Sequence, residues 1–251
     1  METVSVEQHG WVTLAKLNHG VTNSLNPNIV YELEAVLRRV REDEAVKGLV
    51  LASSNEKFFS IGFDIPELFE MSKEDFKGFY RLFNRICMDL FTLPKPTVAA
   101  MTGHAIAAGC ILALCCDYRF MAQGHKLMGL NEVKLGLPVP YLPDRLLHAL
   151  AGIRRAREMM ESGEFYPAEK AFEMGIVDKI LPVENVVSAA VKHADTIGAL
   201  PKVGYKIIKQ NRVEVIAEAV KAREDQKETV FIESWYSNEA RERLKAAIKK
   251  F

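Results

Sequence analysis

Two short segments of this chain place small residues where an extended run turns into a loop or a helix. Residues 59–65 (FSIGFDI) form a glycine-containing loop after a β-type run, and residues 103–110 (GHAIAAGC) precede an apolar helical run. Small residues let backbone amides approach a ligand, and a helix N-terminus adds free N–H groups. Two amides directed at one oxygen would form an oxyanion hole. Taken alone, each segment is better explained by a tight turn or a close helix contact.

One glutamate has unusual surroundings. Glu132 follows the apolar run 127–130 (LMGL) and Asn131, and it precedes Val133. Most glutamates are simply solvated, but that role is less natural here. A carboxylate opposite an oxyanion hole can transfer protons. The alternative is a structural glutamate at the end of a strand.

Several common catalytic patterns are absent from the sequence. It contains no G-x-x-x-x-G-K-[ST], G-x-G-x-x-G, H-E-x-x-H or G-x-S-x-G motif, so nucleotide hydrolysis, dinucleotide redox chemistry, zinc hydrolysis and serine hydrolysis are not supported. His104, Cys110 and Asp117 match no standard metal-ligand spacing. We therefore predict no metal site, and a core or capping role for His104.

Charge and composition narrow the class of protein. The 251 residues include 33 Lys and Arg and 33 Asp and Glu, with 49% hydrophobic residues. This balance fits a globular chain and argues against a dedicated nucleic-acid binder, since such proteins carry a basic excess. The charge is uneven, because residues 201–251 hold 12 basic and 8 acidic groups.

The cysteines and the chain ends bear on the compartment. Cys115 and Cys116 are adjacent in an apolar run, and neither Cys87 nor Cys110 forms a C-x-x-C pair with them. Buried thiols suit this pattern better than disulfides. The N-terminus lacks a basic stretch followed by an apolar block, and the C-terminus is not a peroxisomal tripeptide. We predict a cytoplasmic protein.

An uncharged stretch could be mistaken for a membrane span. The 21 residues between Lys95 and Asp117 carry no formal charge apart from a titratable His104. That length can cross a bilayer, but the polar break at residues 102–104 would be costly in lipid. We predict a buried strand, a turn and a buried helix instead, and no membrane partner.

The wider pattern is strands alternating with helices, followed by helices alone. Strands are predicted at 4–7, 11–17, 46–52, 97–101, 118–121 and 127–130, and helices at 27–41, 73–93 and 107–114. The chain is predicted to be helical after Pro143, with breaks at 162–163 and Pro201. No repeat of 20–50 residues is visible. An α/β core with a helical C-terminal extension follows.

Together, the small-residue segments and Glu132 resemble the crotonase superfamily of enoyl-CoA hydratases and isomerases. The matching segments are FFSIGFDI (58–65), GHAIAAGCILALCCDYRFM (103–121), GLNEVKLGL (129–137), AFEMGIVDKI (171–180) and NSLN (23–26). The resemblance covers essentially the whole chain. It implies a spiral of repeated ββα units over residues 1–195. It also implies a C-terminal helical trimerisation region over 196–251, and a homotrimer or dimer of trimers.

The resemblance also implies an acyl-CoA thioester substrate and a set of site residues. The backbone amides of Phe63 and Ala108 would form the oxyanion hole, and Glu132 would be catalytic. The predicted substrate- or CoA-binding residues are Ser60, Ile61, Gly62, Asp64, Ile65, Ala107, Gly109, Ile111, Asn131, Pro138 and Tyr141.

The carboxylates distinguish the branches of this family. Hydratases of the family carry two glutamates, whereas the first of those positions is Ile111 here and the second is Glu132. The glycine cluster that follows the second glutamate in hydratases is replaced by residues 138–141 (PVPY). The resemblance therefore favours Δ3,Δ2-enoyl-CoA isomerisation in fatty-acid β-oxidation, with no metal or redox cofactor and with CoA as part of the substrate. Alternatives are hydration, another crotonase-type reaction, or non-catalytic CoA binding.

Two further expectations concern the two ends of the substrate. The candidate acyl-pocket residues are Phe63, Phe79, Phe83, Pro138 and Tyr141. CoA is polyanionic, and the basic C-terminal helices are expected to supply cations for its phosphates, with Lys249 and Lys250 as candidates.

Overall fold

The structure is a computed structural model that describes residues 2–249. Its strands are β1 (Val4–His9), β2 (Val12–Leu17), β3 (Gly48–Ser53), β4 (Phe58–Ser60), β5 (Thr97–Met101), β6 (His104–Ile106), β7 (Tyr118–Ala122), β8 (Leu127–Gly129), β9 (Tyr166–Pro167) and β10 (Lys179–Leu181). Its helices are α1 (Pro27–Glu42), α2 (Ile65–Phe69), α3 (Lys73–Phe91), α4 (Ala108–Cys115), α5 (Tyr141–Ser162), α6 (Ala168–Glu173), α7 (Val183–Gly198), α8 (Lys202–Lys221), α9 (Glu224–Trp235) and α10 (Asn238–Ile248).

The strands form two sheets that the chain visits in turn. The larger sheet has the order β1-β2-β3-β5-β7-β10 and the smaller one β4-β6-β8-β9. Three successive passes, β3-β4, β5-β6 and β7-β8, each add one parallel strand to both sheets before a helix follows. This arrangement confirms the predicted spiral of ββα units. The passes start at Gly48, Thr97 and Tyr118, and this unequal spacing explains why no fixed sequence period was visible.

Local sequence accounts for helix α1. Asn26 caps its N-terminus by accepting a hydrogen bond from the Ile29 backbone N–H at 3.2 Å, and Pro27 occupies the first turn, where a missing N–H costs nothing. The helix buries a stripe that includes Val30, Leu33 and Leu37. Helix α1 ends one residue beyond its predicted end.

The uncharged stretch is core, as predicted, but it contains one strand that the sequence did not reveal. Strand β5 and helix α4 are buried throughout. Where a turn was expected, His104–Ile106 forms β6, paired with β4 and β8. Three residues are too few to show an alternating pattern. Within residues 2–249, no helix is long and apolar enough to cross a membrane.

The second half departs from prediction in its boundaries. Helix α5 starts at Tyr141 rather than after Pro143, and Gly152 (φ 75°) interrupts its helical geometry. The predicted domain boundary after residue 195 falls inside α7, and the chain leaves this helix at Ala199. The division into two regions stays a prediction.

A buried ion pair ties α8 to the sheet. Asp117, just before β7, accepts hydrogen bonds from the Thr97 backbone N–H at 2.9 Å and from Lys209 Nζ at 2.7 Å. Arg212 and the Tyr205 hydroxyl also contact this carboxylate. These contacts hold helix α8 against the strand ends.

Candidate active site

A cavity of about 420 Å³ lies between the smaller sheet and the C-terminal helices. Its walls are mostly apolar and come from β4, β6, the start of α4, the segment around Glu132, and helix α9. Enclosed apolar cavities with a few polar groups are the usual sites for small ligands. The polar groups at this cavity therefore decide what chemistry it supports.

The loop after β4 leaves the Phe63 backbone amide unpaired. Phe63 forms an isolated parallel bridge with Leu25, in which the Leu25 N–H donates to the Gly62 carbonyl at 2.8 Å and the Asp64 N–H donates to the Leu25 carbonyl at 3.0 Å. In this pairing the N–H of Phe63 faces away from Leu25. No acceptor within residues 2–249 bonds to it.

A second free amide lies at the start of α4. Ala108 is the first residue of that helix, where an N–H has no intrahelical acceptor, and no side chain caps it. The preceding Ala107 has a positive φ of 48°, an uncommon conformation for a residue with a Cβ. The Ala107 N–H donates to the Gly129 carbonyl at 2.8 Å, which fixes the turn against β8.

Two glycines bring these segments together. A Cβ at Gly62, whose φ is 100°, would lie 3.1 Å from the Ala108 backbone nitrogen. A Cβ at Gly109 would lie 2.4 Å from the Ser60 carbonyl oxygen, which no side chain tolerates. The Phe63 loop therefore packs directly on the start of α4, and their free amides belong to adjacent stretches of backbone.

Asn23 and Ser60 support this loop from behind. Asn23 has a positive φ of 47°, and its side-chain amide donates to the Phe58 and Phe59 carbonyls at 3.2 Å each. The Ser60 hydroxyl donates to the Asn23 carbonyl at 2.7 Å and accepts from the Gly62 N–H at 3.1 Å. Both side chains are buried and hold the loop shape without lining the cavity.

Glu132 is the carboxylate of the cavity. It opens a 3-10 helix (Glu132–Leu135) directly after β8, and it is 6% exposed. Its Oε2 atom is buried and has no hydrogen-bond partner within residues 2–249. Burial, partly offset by a hydrogen bond to its own backbone, raises the pKa of Glu132 to about 7. At neutral pH such a carboxyl group is present in both its protonated and its ionised form, so it can donate a proton as well as accept one.

Ile111 lines the same cavity and is 2% exposed. It cannot transfer a proton. Among the cavity-lining residues of the described chain, Glu132 is the sole carboxylate, beside the imidazoles of His104 and His125. The site therefore has one carboxyl group for proton transfer.

Two other parts of the cavity lining differ in polarity. The first contains His104, which is half-buried, and His125, which is exposed, with their rings 5.9 Å apart. His104 Nδ1 accepts a hydrogen bond from the Leu127 backbone N–H at 3.0 Å, and burial lowers the pKa of this histidine. The second is the part lined by Phe231 and Trp235 of α9, which are both buried.

The structure brings eight of the predicted site residues to the cavity wall: Ile61, Phe63, Ile65, Ala107, Ala108, Ile111, Asn131 and Glu132. Gly62 and Gly109 shape the backbone behind them. Asp64 instead caps α2, accepting from the Glu67 N–H at 3.2 Å. Their roles in binding substrate stay predictions.

Four predicted pocket residues lie elsewhere. Pro138 is exposed, whereas Pro140 lines the cavity in its place. Tyr141 begins α5, and its hydroxyl accepts a hydrogen bond from Arg223 at 2.6 Å. Phe79 and Phe83 pack against the Phe63 ring with centroids 5.1 and 4.9 Å away, so they support the wall from behind.

Sequence reasoning missed the part of the cavity wall that comes from α9, and it did not place His104 or His125 at the cavity. The spacing of Phe231 and Trp235, which are four residues apart and therefore on one face of α9, was the available signal. Lys249 caps the end of α10, and Lys250 lies outside the described residues. Within residues 2–249, no group of three or more His, Cys, Asp or Glu side chains is arranged to hold a metal ion.

The alternating two-sheet spiral and the glycine loop beside the start of α4 define a crotonase-type fold. A family model described as enoyl-CoA hydratase/isomerase matches residues 7–250, and the chain belongs to this family of enzymes. The crystal structure of human mitochondrial delta3-delta2-enoyl-CoA isomerase superimposes with a TM-score of 0.95 at 26% identity, covering 99% of this chain and 97% of that one.

Curated relatives include both isomerases and hydratases. The human mitochondrial enoyl-CoA delta isomerase 1 is 30% identical over 191 residues, which cover 76% of this chain and 63% of that protein. The chain thus spans slightly less than two thirds of that relative. A short-chain-enoyl-CoA hydratase from Clostridium acetobutylicum is 29% identical over 211 residues, covering 84% of this chain and 80% of that protein.

Proposed function

We propose that this chain converts 3-enoyl-CoA esters to 2-trans-enoyl-CoA esters, with Glu132 as the single acid/base. The observation that carries the proposal is a buried carboxylate, Glu132, whose Oε2 atom has no hydrogen-bond partner within residues 2–249 and whose pKa is raised to about 7. It lines a cavity in which Ile111 stands where hydratases of the family have a second carboxylate. Similarity to the human delta3-delta2-enoyl-CoA isomerase supports it.

The chemistry is the relocation of one proton. In a 3-enoyl thioester, the C2 proton is acidified by both the carbonyl and the alkene. The ionised Glu132 removes it, and the C–H electron pair moves into a dienolate spread over the thioester oxygen and the alkene. The protonated Glu132 then returns the proton to C4, which leaves the double bond between C2 and C3. No atom is gained or lost.

The two free amides stabilise the charge that develops in this reaction. The N–H groups of Phe63 and Ala108 donate to the thioester oxygen, and their interaction strengthens as the oxygen becomes negative. The donors are held by backbone pairing and glycine contacts, so they need no rearrangement during the reaction. Removing one donor of this kind typically costs 10²–10³ in turnover.

We further propose a homotrimer or dimer of trimers that binds acyl-CoA and works in the cytoplasm. Exposed apolar residues on α8, including Val203, Ile208 and Val215, are candidates for the subunit contact. Lys249 stays a candidate for the CoA phosphates. Light scattering of the purified protein would measure the oligomer, and cell fractionation the compartment, with a mitochondrial location as the competing result.

The decisive assay compares Glu132→Gln with Glu161→Gln, a matched change at an exposed position of α5. Glutamine keeps the size of the side chain but cannot accept the C2 proton. We expect Glu132→Gln to lower turnover of 3-enoyl-CoA by about 10²–10⁴-fold, and Glu161→Gln to leave it unchanged. Wild-type turnover in Glu132→Gln would refute the mechanism.

The same purified enzyme separates the alternatives. The Clostridium relative favours hydration as the second candidate, and that reaction would convert a 2-enoyl-CoA ester to its hydroxyacyl product at a rate exceeding isomerisation. A non-catalytic CoA-binding protein would bind acyl-CoA but turn over neither ester. We expect rapid isomerisation and little water addition, because one carboxylate must otherwise both activate the water and donate a proton.

A further inference from the structure

The two backbone amides that we propose as donors to the thioester oxygen are held in different ways. Ala108 is the first residue of helix α4, so its N–H takes its direction from the helix that follows. Phe63 lies instead in the loop between β4 and α2, directly after Gly62, whose φ of 100° belongs to the region that favours glycine. The direction of the Phe63 N–H therefore depends on the contacts of this loop.

The backbone of this loop is hydrogen-bonded along one edge. The Gly62 carbonyl accepts from the Leu25 N–H at 2.8 Å, and the Asp64 N–H donates to the Leu25 carbonyl at 3.0 Å. Because the peptide bond between Gly62 and Phe63 is trans, the N–H of Phe63 projects from the opposite edge. Two bonds along one edge leave the loop free to swing about that edge, and a contact away from it restricts the motion.

The side chain of Phe63 supplies a contact of this kind. Its ring packs edge-on against Phe79 and Phe83 of α3, with centroids 5.1 and 4.9 Å away, and against Trp235 of α9 at 6.4 Å. Aromatic pairs in this geometry attract each other beyond the effect of buried area alone. The three partners are 4%, 0% and 1% exposed, so they belong to the packed core. The ring therefore ties the loop to two helices.

An amide stabilises a developing oxyanion best when its N–H is already directed at the oxygen, since no reorganisation is then needed during the reaction. We propose that Phe63 acts through its side chain as a positioning residue. Its ring, held by the aromatic side chains of α3 and α9, fixes the direction of its own backbone N–H. The main chain of any residue but proline could donate here, whereas the ring connects this donor to the core. The proposal rests on the proposed donation from this N–H to the thioester oxygen.

The direct test measures how much affinity the protein gains from the thioester oxygen. Hexanoyl-CoA and its thioether analogue hexyl-CoA, in which CH₂ replaces the carbonyl, have no double bond to move and differ only at that group. By isothermal titration calorimetry we expect the wild type to bind hexanoyl-CoA about tenfold more tightly, because the thioether leaves the two N–H groups without an acceptor. In Phe63→Leu this ratio should fall to about threefold or less, while the affinity for hexyl-CoA stays close to that of the wild type.

Phe79→Leu tests the same contact without changing residue 63. Phe79 is buried and lies outside the cavity lining, so its truncation affects the ligand through the Phe63 ring. We expect the same fall in the affinity ratio, with kcat for a 3-enoyl-CoA ester lowered about tenfold and KM nearly unchanged, since the donors act most strongly in the transition state.

Phe91→Leu is the matched control for lost packing on α3. Phe91 is 7% exposed and lies outside the cavity lining, and within residues 2–249 it is not among the rings that pack on Phe63. This variant should keep both the affinity ratio and kcat of the wild type. An equal loss in Phe91→Leu would show that any weakening of α3 is enough, and it would overturn the proposal.

The remaining outcomes separate the positioning role from the proposed reaction. Equal affinities of the wild type for hexanoyl-CoA and hexyl-CoA would refute the donation to the thioester oxygen, and the positioning role with it. If the wild type prefers hexanoyl-CoA and the preference survives in both Phe63→Leu and Phe79→Leu, the positioning role is wrong while the proposed reaction stands.

Discussion

Two buried carboxylates of this chain have opposite surroundings. The side chain of Asp117 is 4% exposed and Glu132 is 6% exposed. Burial pushes the pKa of Asp117 upwards, but the charges of Lys209 and Arg212 outweigh it and hold that pKa below its ordinary value. Glu132 has no cation to offset its burial, and its pKa rises to about 7.

The difference shows that burial alone does not mark a catalytic carboxylate. Asp117 accepts hydrogen bonds from Thr97, Tyr205 and Lys209, so its oxygens are occupied in holding α8 to the sheet. Glu132 leaves one oxygen without a partner at a cavity wall. Partners make a buried carboxylate structural, and their absence at a cavity leaves it free for proton transfer.

The largest expected effect comes from removing the charge of Asp117. Asp117→Asn leaves the buried ammonium of Lys209, which is 2% exposed, without its counter-charge. We expect the free energy of unfolding to fall by about 3–5 kcal/mol, the usual cost of breaking a buried ion pair. Urea unfolding measures the loss. A change under 1 kcal/mol would show that the α8 tie does not depend on this charge.

Glu132→Gln should have the opposite effect on stability, and its size should depend on pH. The folded pKa of about 7 exceeds the ordinary value of 4.5, so the folded protein binds the proton more tightly than the unfolded chain does. In the wild type, the contribution of Glu132 to stability is therefore largest below pH 4.5 and is lost as the pH rises to about 7. This loss amounts to about 3 kcal/mol.

Because glutamine stays neutral, Glu132→Gln does not lose stability as the pH rises in this range. We expect the variant to be more stable than the wild type at pH 8 and to lose this advantage at pH 5, as measured by urea unfolding at both values. A stability difference that stays constant between the two pH values would contradict the raised pKa of Glu132.

The sequence predicts a feature of this molecule best when the residues that form it are close together in the chain. Helix α1 was predictable because its cap and apolar stripe are local, and the resemblance to crotonases led to Glu132 and Ile111. Strand β6 was missed because three residues carry no period, and Pro138 and Pro140 could not be distinguished because backbone direction decides which one turns inward.

Contacts between residues that are far apart in the sequence could not be predicted from local patterns. Asp117 and Lys209 are 92 residues apart, and neither position indicates the other without the fold. The cavity wall from α9 also depends on tertiary packing, because the contact between α9 and α3 positions Trp235 at the cavity. The resemblance therefore located Glu132, whereas the pairing of Asp117 is visible only in the tertiary packing.

The pH dependence of isomerisation tests the free carboxylate directly. Glu132 must be ionised to remove the C2 proton, so kcat/KM for a 3-enoyl-CoA ester should rise about tenfold per pH unit below pH 7 and level off above it. An initial-rate profile from pH 5 to 8.5 measures this. Constant kcat/KM across the range would show that Glu132 is not the group that accepts the proton.

The smallest effect is expected at the exposed partner of Asp117. The Arg212 side chain is 52% exposed, and Asp117 keeps Lys209, Thr97 and Tyr205 when it is removed. We expect Arg212→Gln to lower the free energy of unfolding by about 1 kcal/mol or less, and the loss to shrink in high salt, because exposed ion pairs are weak and screened. Lys209→Met is the matched comparison and should cost more, since it leaves a buried carboxylate with its main cation gone. If Arg212→Gln destabilised the protein as much as Asp117→Asn, the two cations would contribute as one unit. Asp117 would then be held by the exposed charge as much as by the buried one.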